Sequence, residues 1–349
     1  MRFLLDGFKR VVRSHKRSAA APGPATLSRL QSFGSNPGAL QAWYYVPEGL
    51  TKAPALVVVL HGCGQNAAGY DQAAGWSKVA EDFGFAVLYP EQIPPNNPKL
   101  CFNWFNLGDI RRGQGEVHSI WQMVETMTTE HGINRDRIYI TGLSAGGAMA
   151  NAALCAYPET FAGGAIIAGL PYAVATSVPA AFDRMRGHGI PNEEWLQERL
   201  AEASPHIGPW PTISVWHGTS DGTVAQANAS AIITQWSGVH DVPLNPSSLK
   251  TVDGHKRLAW RDRFGRDAIE LYLIERMDHG TPLDVASGYG QIAPYMLDAG
   301  ISSTLHTARS WGLTPAFRRR PKGIGYVRPT RPPQVTGDLS RTGRKTFKW

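Results

Sequence analysis

Gly142-Leu143-Ser144-Ala145-Gly146 sets a serine between two glycines, with the apolar run RIYIT before it and the small-residue stretch GAMANAALCAYP after it. In a strand–turn–helix context this pattern carries a hydroxyl on a sharp turn at the start of a helix. Flanking glycines remove side chains that would collide in such a turn, and the helix N-terminus favours developing negative charge. The chemistry is attack on an acyl carbon. A serine hydroxyl is a weak nucleophile, so it needs a base that is itself held by a third group.

Two downstream turns supply that pair in the order acid, then histidine, which is the order this arrangement uses. Asp221 lies in His217-Gly218-Thr219-Ser220-Asp221-Gly222-Thr223-Val224, just after the apolar run 213–216, and His279 lies in Met277-Asp278-His279-Gly280, after a run that ends at 274. Both positions fall at the C-terminal ends of strands, where open α/β sheets assemble their sites. Asp221 by itself reads as the former of an Asp-Gly turn; its place after a strand, downstream of the serine, makes it the orienting acid. Of the 11 histidines, His217 and His255 compete for the role of base. His217 reads as a structural residue at a strand end and His255 as part of the polar turn VDGHK. Asp278 adjoins His279, and adjacent side chains rarely point at each other as an acid–base pair must.

Acyl transfer also needs donors for the tetrahedral oxyanion, one from the residue after the nucleophile and one from the loop after an earlier strand. The first is the amide of Ala145. The second is assigned to Cys63, in Leu60-His61-Gly62-Cys63-Gly64-Gln65, whose glycines permit close backbone approach. Cys63 as a thiol nucleophile is the weaker reading, since Ser144, Asp221 and His279 already account for the chemistry. No metal or organic cofactor is required.

These residues need a sheet to position them. Apolar runs at 40–45, 55–60, 86–89, 138–141, 165–168, 213–216 and 268–274 alternate with helical patterns, which predicts a mostly parallel central sheet with helices on both faces: an α/β-hydrolase fold in a single catalytic domain. Residues 116–130 place Val117, Ile120, Trp121, Val124 and Met127 at helical spacing, with Gly132 as a C-terminal stop. The longer connection 171–211 holds a second helical stretch and is expected to pass over the active-site edge. The predicted organisation is a basic N-terminal extension at 1–38, the catalytic domain at 39–317 and a basic, disordered Pro/Arg/Gly-rich tail at 318–349.

The net charge of +7 belongs to the ends. Residues 318–349 carry +9 and residues 1–20 carry +5, which leaves −7 for the stretch between. An acidic body does not offer a specific nucleic-acid face; weak attachment to anionic surfaces is a property expected of the tails. No apolar run has the length of a transmembrane helix. The start, MRFLLDGFKRVV, is interrupted by Asp6, Lys9 and Arg10 and makes a poor signal peptide. It reads as a solvated extension, or as a short amphipathic helix for a membrane surface.

Taken together, LHGCGQNAAGYDQAAGW, CFNWF, RRGQGEVHSI, ITGLSAGGAMA and HGTSDGTV resemble the poly(3-hydroxybutyrate) depolymerase family of esterases, allied to feruloyl and acetylxylan esterases. The resemblance spans 39–312. It implies Ser144, Asp221 and His279 as triad, the Cys63 and Ala145 amides as oxyanion hole, and a polyester or plant-wall ester as substrate. It also implies secretion; the weak signal peptide makes the cytoplasm the alternative. No second globular unit suggests a polymer-binding domain, which favours soluble oligomers or small esters. Trp104, in the aromatic segment CFNWF, is the candidate substrate wall, with a loop anchor as the equal alternative. Cys63 and Cys101, placed in two motifs that should meet at the site, suggest a disulfide. Rival readings are a peptidase or lactonase with the same triad, and a non-catalytic protein binding RNA or an anionic surface through its tails.

Overall fold

The structure is a computed structural model and describes residues 26–315. The basic segments at 1–20 and 318–349, with the attachment expected of them, lie outside the described residues.

The architecture follows from the apolar runs. Leu56–Leu60 (β3), LVVVL, is buried at every position, as befits a parallel strand covered on both faces. Its alternate residues feed two cores. Leu56, Val58 and Leu60 join one, and Val57 and Val59 the other. Among the described residues, the main sheet around β3 has ten strands in the order β1-β2-β4-β3-β5-β6-β7-β10-β9-β8. The other nine are Ser28–Arg29 (β1), Gln41–Tyr45 (β2), Ala86–Glu91 (β4), Ile138–Leu143 (β5), Gly163–Ile167 (β6), Thr212–Gly218 (β7), Ser248–Val252 (β8), His255–Arg261 (β9) and Asp267–Ile274 (β10). The six strands from β4 to β10 in that order pair in parallel, and antiparallel strands flank them on each side. A short parallel pair, Thr281–Leu283 (β11) and Met296–Asp298 (β12), stands apart.

The helices are Ala67–Ala74 (α1), Trp76–Phe83 (α2), Leu107–Ile110 (α3), Gly115–His131 (α4), Ala145–Ala156 (α5), Val178–Met185 (α6), Glu193–Ala201 (α7), Ala227–His240 (α8) and Ser303–Ser310 (α9). Apolar residues of α4, α5 and α8 fill the core on one face of the sheet, and those of α1, α2 and α9 the core on the other. Gly132 caps α4 with φ +61°, the left-handed geometry that glycine adopts without penalty. Among the described residues, no helix is long and apolar enough to cross a membrane.

All seven strands expected from apolar runs are present, as β2 to β7 and β10. Two expectations need correction. Part of the supposed N-terminal extension belongs to the fold: β1 pairs antiparallel with β2, and Leu30 and Phe33 are buried in the core. The VDGHK turn does form, at Asp253 and Gly254, both with positive φ, but it joins β8 to β9, and His255 is the first residue of β9 rather than a turn residue.

Candidate active site

Adjacent strand ends bring the chemistry to one rim of the sheet. Leu60 pairs with Gly142, Leu143 with Ile167, Ile167 with Trp216, and Trp216 with Tyr272. The loops that leave β3, β5, β7 and β10 carry Cys63, Ser144, Asp221 and His279 in turn.

Ser144 occupies the turn between β5 and α5 with φ +58° and ψ −117°, a strained region for a residue with a Cβ. Its N–H donates to the carbonyl of Ile167 at 2.9 Å, and its own carbonyl accepts from Ala148. The turn closes only because its neighbours are glycines. A Cβ on Gly142 would stand 2.3 Å from the Gly146 oxygen, and a Cβ on Gly146 would stand 2.4 Å from the His61 oxygen. That second contact also shows how closely the loop after β3 lies against the start of α5. The Ser144 side chain is half-buried and makes no hydrogen bond among the described residues.

Asp221 and His279 meet directly. The Oδ2 of Asp221 accepts from Nδ1 of His279 at 2.8 Å, while Oδ1 accepts from the amides of Thr223 (2.9 Å) and Val224 (2.8 Å). Burial pushes the Asp221 carboxyl up, but the hydrogen bond and electrostatic attraction of His279, with those two amides, outweigh it and leave the pKa below the ordinary carboxylate value. The loops after β7 and β10 are also knitted together: the Ser220 N–H donates to the Met277 carbonyl, and the Thr219 N–H to that of Ile274. Asp278 serves this seam, accepting from the amides of His279 and Gly222 through Oδ1, and so does not address the imidazole of His279.

The competing histidines are committed elsewhere. His217 is buried, its Nε2 bonded to the Val224 carbonyl at 2.9 Å and 3.6 Å from Asp221. Burial lowers its pKa, so it backs the acid as a neutral ring. His255 bridges β9 to its surroundings, with Nε2 donating to the Ala299 carbonyl and Nδ1 accepting from the Glu275 amide.

In the loop after β3, the Gly62 amide donates to Oε1 of Gln65 and the Gly64 amide to the Lys99 carbonyl. Between them the Cys63 amide has no acceptor among the described residues, nor has the Ala145 amide at the start of α5. Cys63 and Cys101 form a disulfide with Cα atoms 4.2 Å apart, which ties the CFNWF loop to this turn. Trp104 is 6% exposed and sits in a cluster with Ala145, Ala148, Leu170 and Val224. Tyr295 was not anticipated: it is half exposed, has φ +63°, and presents its ring at 77° to that of His279 with centroids 6.0 Å apart.

A family profile described as "Esterase PHB depolymerase" matches residues 40–242. Poly(3-hydroxyalkanoate) depolymerase C of Paucimonas lemoignei is 42% identical over 291 residues, covering 82% of this chain and 70% of the relative.

The chain belongs to the PHB depolymerase family of esterases.

Other similar proteins extend the group. Feruloyl esterase B of Talaromyces funiculosus is 27% identical over 271 residues, covering 75% of each chain. The solved acetyl xylan esterase from Aspergillus awamori superposes with a TM-score of 0.72 at 21% identity, covering 83% of this chain and all of that one; at that identity the likeness supports the α/β-hydrolase fold. Within a PHB depolymerase family esterase, the profile match includes Cys63, Ser144, Ala145 and Asp221 and ends before β10. His279 is therefore placed by the fold, through the pairing of β10 with β7.

Proposed function

We propose that this esterase works through an acyl-enzyme, with Ser144 as nucleophile, His279 as base and Asp221 as the group that orients the base. In the first half-reaction Oγ of Ser144 bonds to the ester carbonyl carbon while Nε2 of His279 takes the hydroxyl proton. The carbonyl oxygen becomes an oxyanion facing the Cys63 and Ala145 amides, and the alcohol leaves with the proton from His279. Water then repeats the sequence on the acyl-enzyme, releasing the acid and restoring Ser144. The observation that carries this reading is the 2.8 Å contact of His279 with Asp221 on the same rim as the strained Ser144 turn.

The substrate class we infer is a hydroxyalkanoate oligomer or a related short-acyl ester, supported by the 42% identity to a poly(3-hydroxyalkanoate) depolymerase. Action outside the cytoplasm fits the Cys63–Cys101 disulfide, since such bonds persist in oxidising compartments. Ser144→Ala, assayed on a panel of short-acyl esters, 3-hydroxybutyrate oligomers, ferulate esters and acetylated sugars, tests both parts. The expected result is no turnover by the variant and wild-type preference for the oligomers. Substantial residual turnover by Ser144→Ala would exclude the mechanism, and preference for ferulate or acetyl-sugar esters would exclude the substrate class.

A further inference from the structure

A buried carboxyl lies behind the oxyanion turn and takes no part in the proposed proton transfers. Glu116, in the first turn of α4, is 1% exposed. Its Oε1 accepts from Nε2 of Gln92 at 2.6 Å and from Nδ2 of Asn103 at 2.7 Å, and its Oε2 accepts from the Asn103 amide at 2.8 Å. One side chain thus anchors the end of β4 and the CFNWF loop together.

Each anchor leads to Cys63. The amide of Gln92 donates to Nε2 of His61 at 3.1 Å. An amide can only donate, so Nε2 is unprotonated and the ring proton sits on Nδ1, which donates to the Gly62 carbonyl at 2.8 Å. That carbonyl shares a planar peptide unit with the Cys63 N–H, so holding the C=O fixes the direction of the N–H. Burial lowers the His61 pKa, consistent with a neutral ring. The second route runs through Asn103 to Cys101, two residues away, whose carbonyl also accepts from Gln92 and whose sulfur is bonded to Cys63.

We propose that Glu116 is a positioning residue for the oxyanion hole, fixing the Gly62–Cys63 peptide through Gln92 and His61 on one side and through Asn103 and the disulfide on the other. This rests on the acyl-enzyme reading above. Glutamine cannot replace the carboxyl there, because both carboxyl oxygens keep lone pairs that accept whether or not the group holds a proton, whereas an amide nitrogen only donates. In one orientation its NH2 faces the Asn103 amide. In the other it faces the side-chain amides of Gln92 and Asn103, and Gln92 cannot flip to answer, because its Oε1 already accepts from the Ile93 amide and from Asn96.

The test uses the full chain carrying Glu116→Gln, with active sites counted by end-point labelling of the nucleophile with a fluorescent phosphonate. Loss of one oxyanion donor costs roughly 100- to 1,000-fold in kcat, so its displacement is expected to lower kcat per labelled site by roughly 10- to 100-fold, with KM within about twofold of wild type. The inhibition constant of a trifluoromethyl ketone, whose hemiketal oxyanion occupies the same place, is expected to rise by the same factor. Asn103→Ala, which removes one of the three donors, should show the same pattern at roughly tenfold and serves if Glu116→Gln does not fold. A purely structural role would lower the number of labelled sites and leave kcat per site unchanged; that outcome overturns the proposal, as does a fall in kcat without the matching loss of ketone affinity. Turnover by Ser144→Ala would instead strike the nucleophile assignment.

Discussion

The imidazole of His279 and the carboxylate of Asp221 meet at 2.8 Å across 58 positions of sequence, and the second carboxylate oxygen is held by two backbone amides. The Asp221 carboxylate is thereby oriented by the fold itself. Asp221→Asn keeps the shape, but the Thr223 and Val224 amides hold its carbonyl oxygen, so its NH2 faces Nδ1 and favours the wrong tautomer. The expected loss is roughly 10³- to 10⁴-fold in kcat with KM little changed, measured by steady-state kinetics on a chromogenic short-acyl ester. A loss below tenfold would separate Asp221 from the base.

The Cys63–Cys101 bridge closes a sequence separation of 38 residues and restrains the residue proposed to carry an oxyanion donor. Cys101→Ser is expected to cost about 2–4 kcal/mol of stability and to lower kcat as the turn loosens. Urea denaturation of the variant, and of wild type with and without dithiothreitol, reads the first effect; initial rates read the second.

Gly146 lies where a Cβ would stand 2.4 Å from the His61 oxygen and 2.5 Å from the Leu60 oxygen. Both contacts are backbone, so no side chain can swing aside. Gly146→Ala should cost about 2 kcal/mol or more through forced separation of β3 and α5, and it should remove most activity by displacing the Cys63 amide. Denaturation midpoints and kcat per labelled site check both.

Burial, reinforced by the nearby charge of Asp109, pushes the Glu116 carboxyl from its ordinary 4.5 up to about 8, against its hydrogen bonds from Asn103 and Gln92. The folded protein then holds a proton that the unfolded chain has released between those two values. The contribution is fully present below the unfolded pKa and is lost as pH rises through the folded one. Glu116→Gln lacks this proton, so its urea midpoint should fall less steeply than that of wild type between about pH 5 and pH 9. Parallel slopes for the two proteins would contradict the elevated value.

The parts that declare themselves locally were legible in the sequence. The Ser144 turn is bracketed by glycines that its geometry requires, and buried parallel strands such as LVVVL read as unbroken apolar runs. The expected positions of Asp221 and His279 after strands rested on the same alternation. The remainder depends on partners distant in sequence. Nothing in the neighbourhood of Glu116 shows that it will bond to Gln92 and Asn103, 24 and 13 positions away. The strand β8, SLKTV, is polar and largely exposed at the sheet edge, so it lacks the apolar signature of the central strands. Leu30 and Phe33 are isolated apolar residues in a Ser/Pro/Gly-rich stretch, and only the pairing of β1 with β2 brings them into the core. Trp104 illustrates the converse: an aromatic on a polar connection suits either a ligand or a neighbour, and here its neighbours enclose it.

The place of β10 in the sheet has a consequence for how the protein is made. The strand that delivers the imidazole is inserted between β7 and β9 instead of lying on the border. If His279 is the base, a nascent chain halted before residue 267 presents Ser144 with no group to receive its proton, and it leaves the flank of β7 open to stray strands. On the proposed mechanism, hydrolytic competence and the sealing of that flank both wait on the same late stretch of chain.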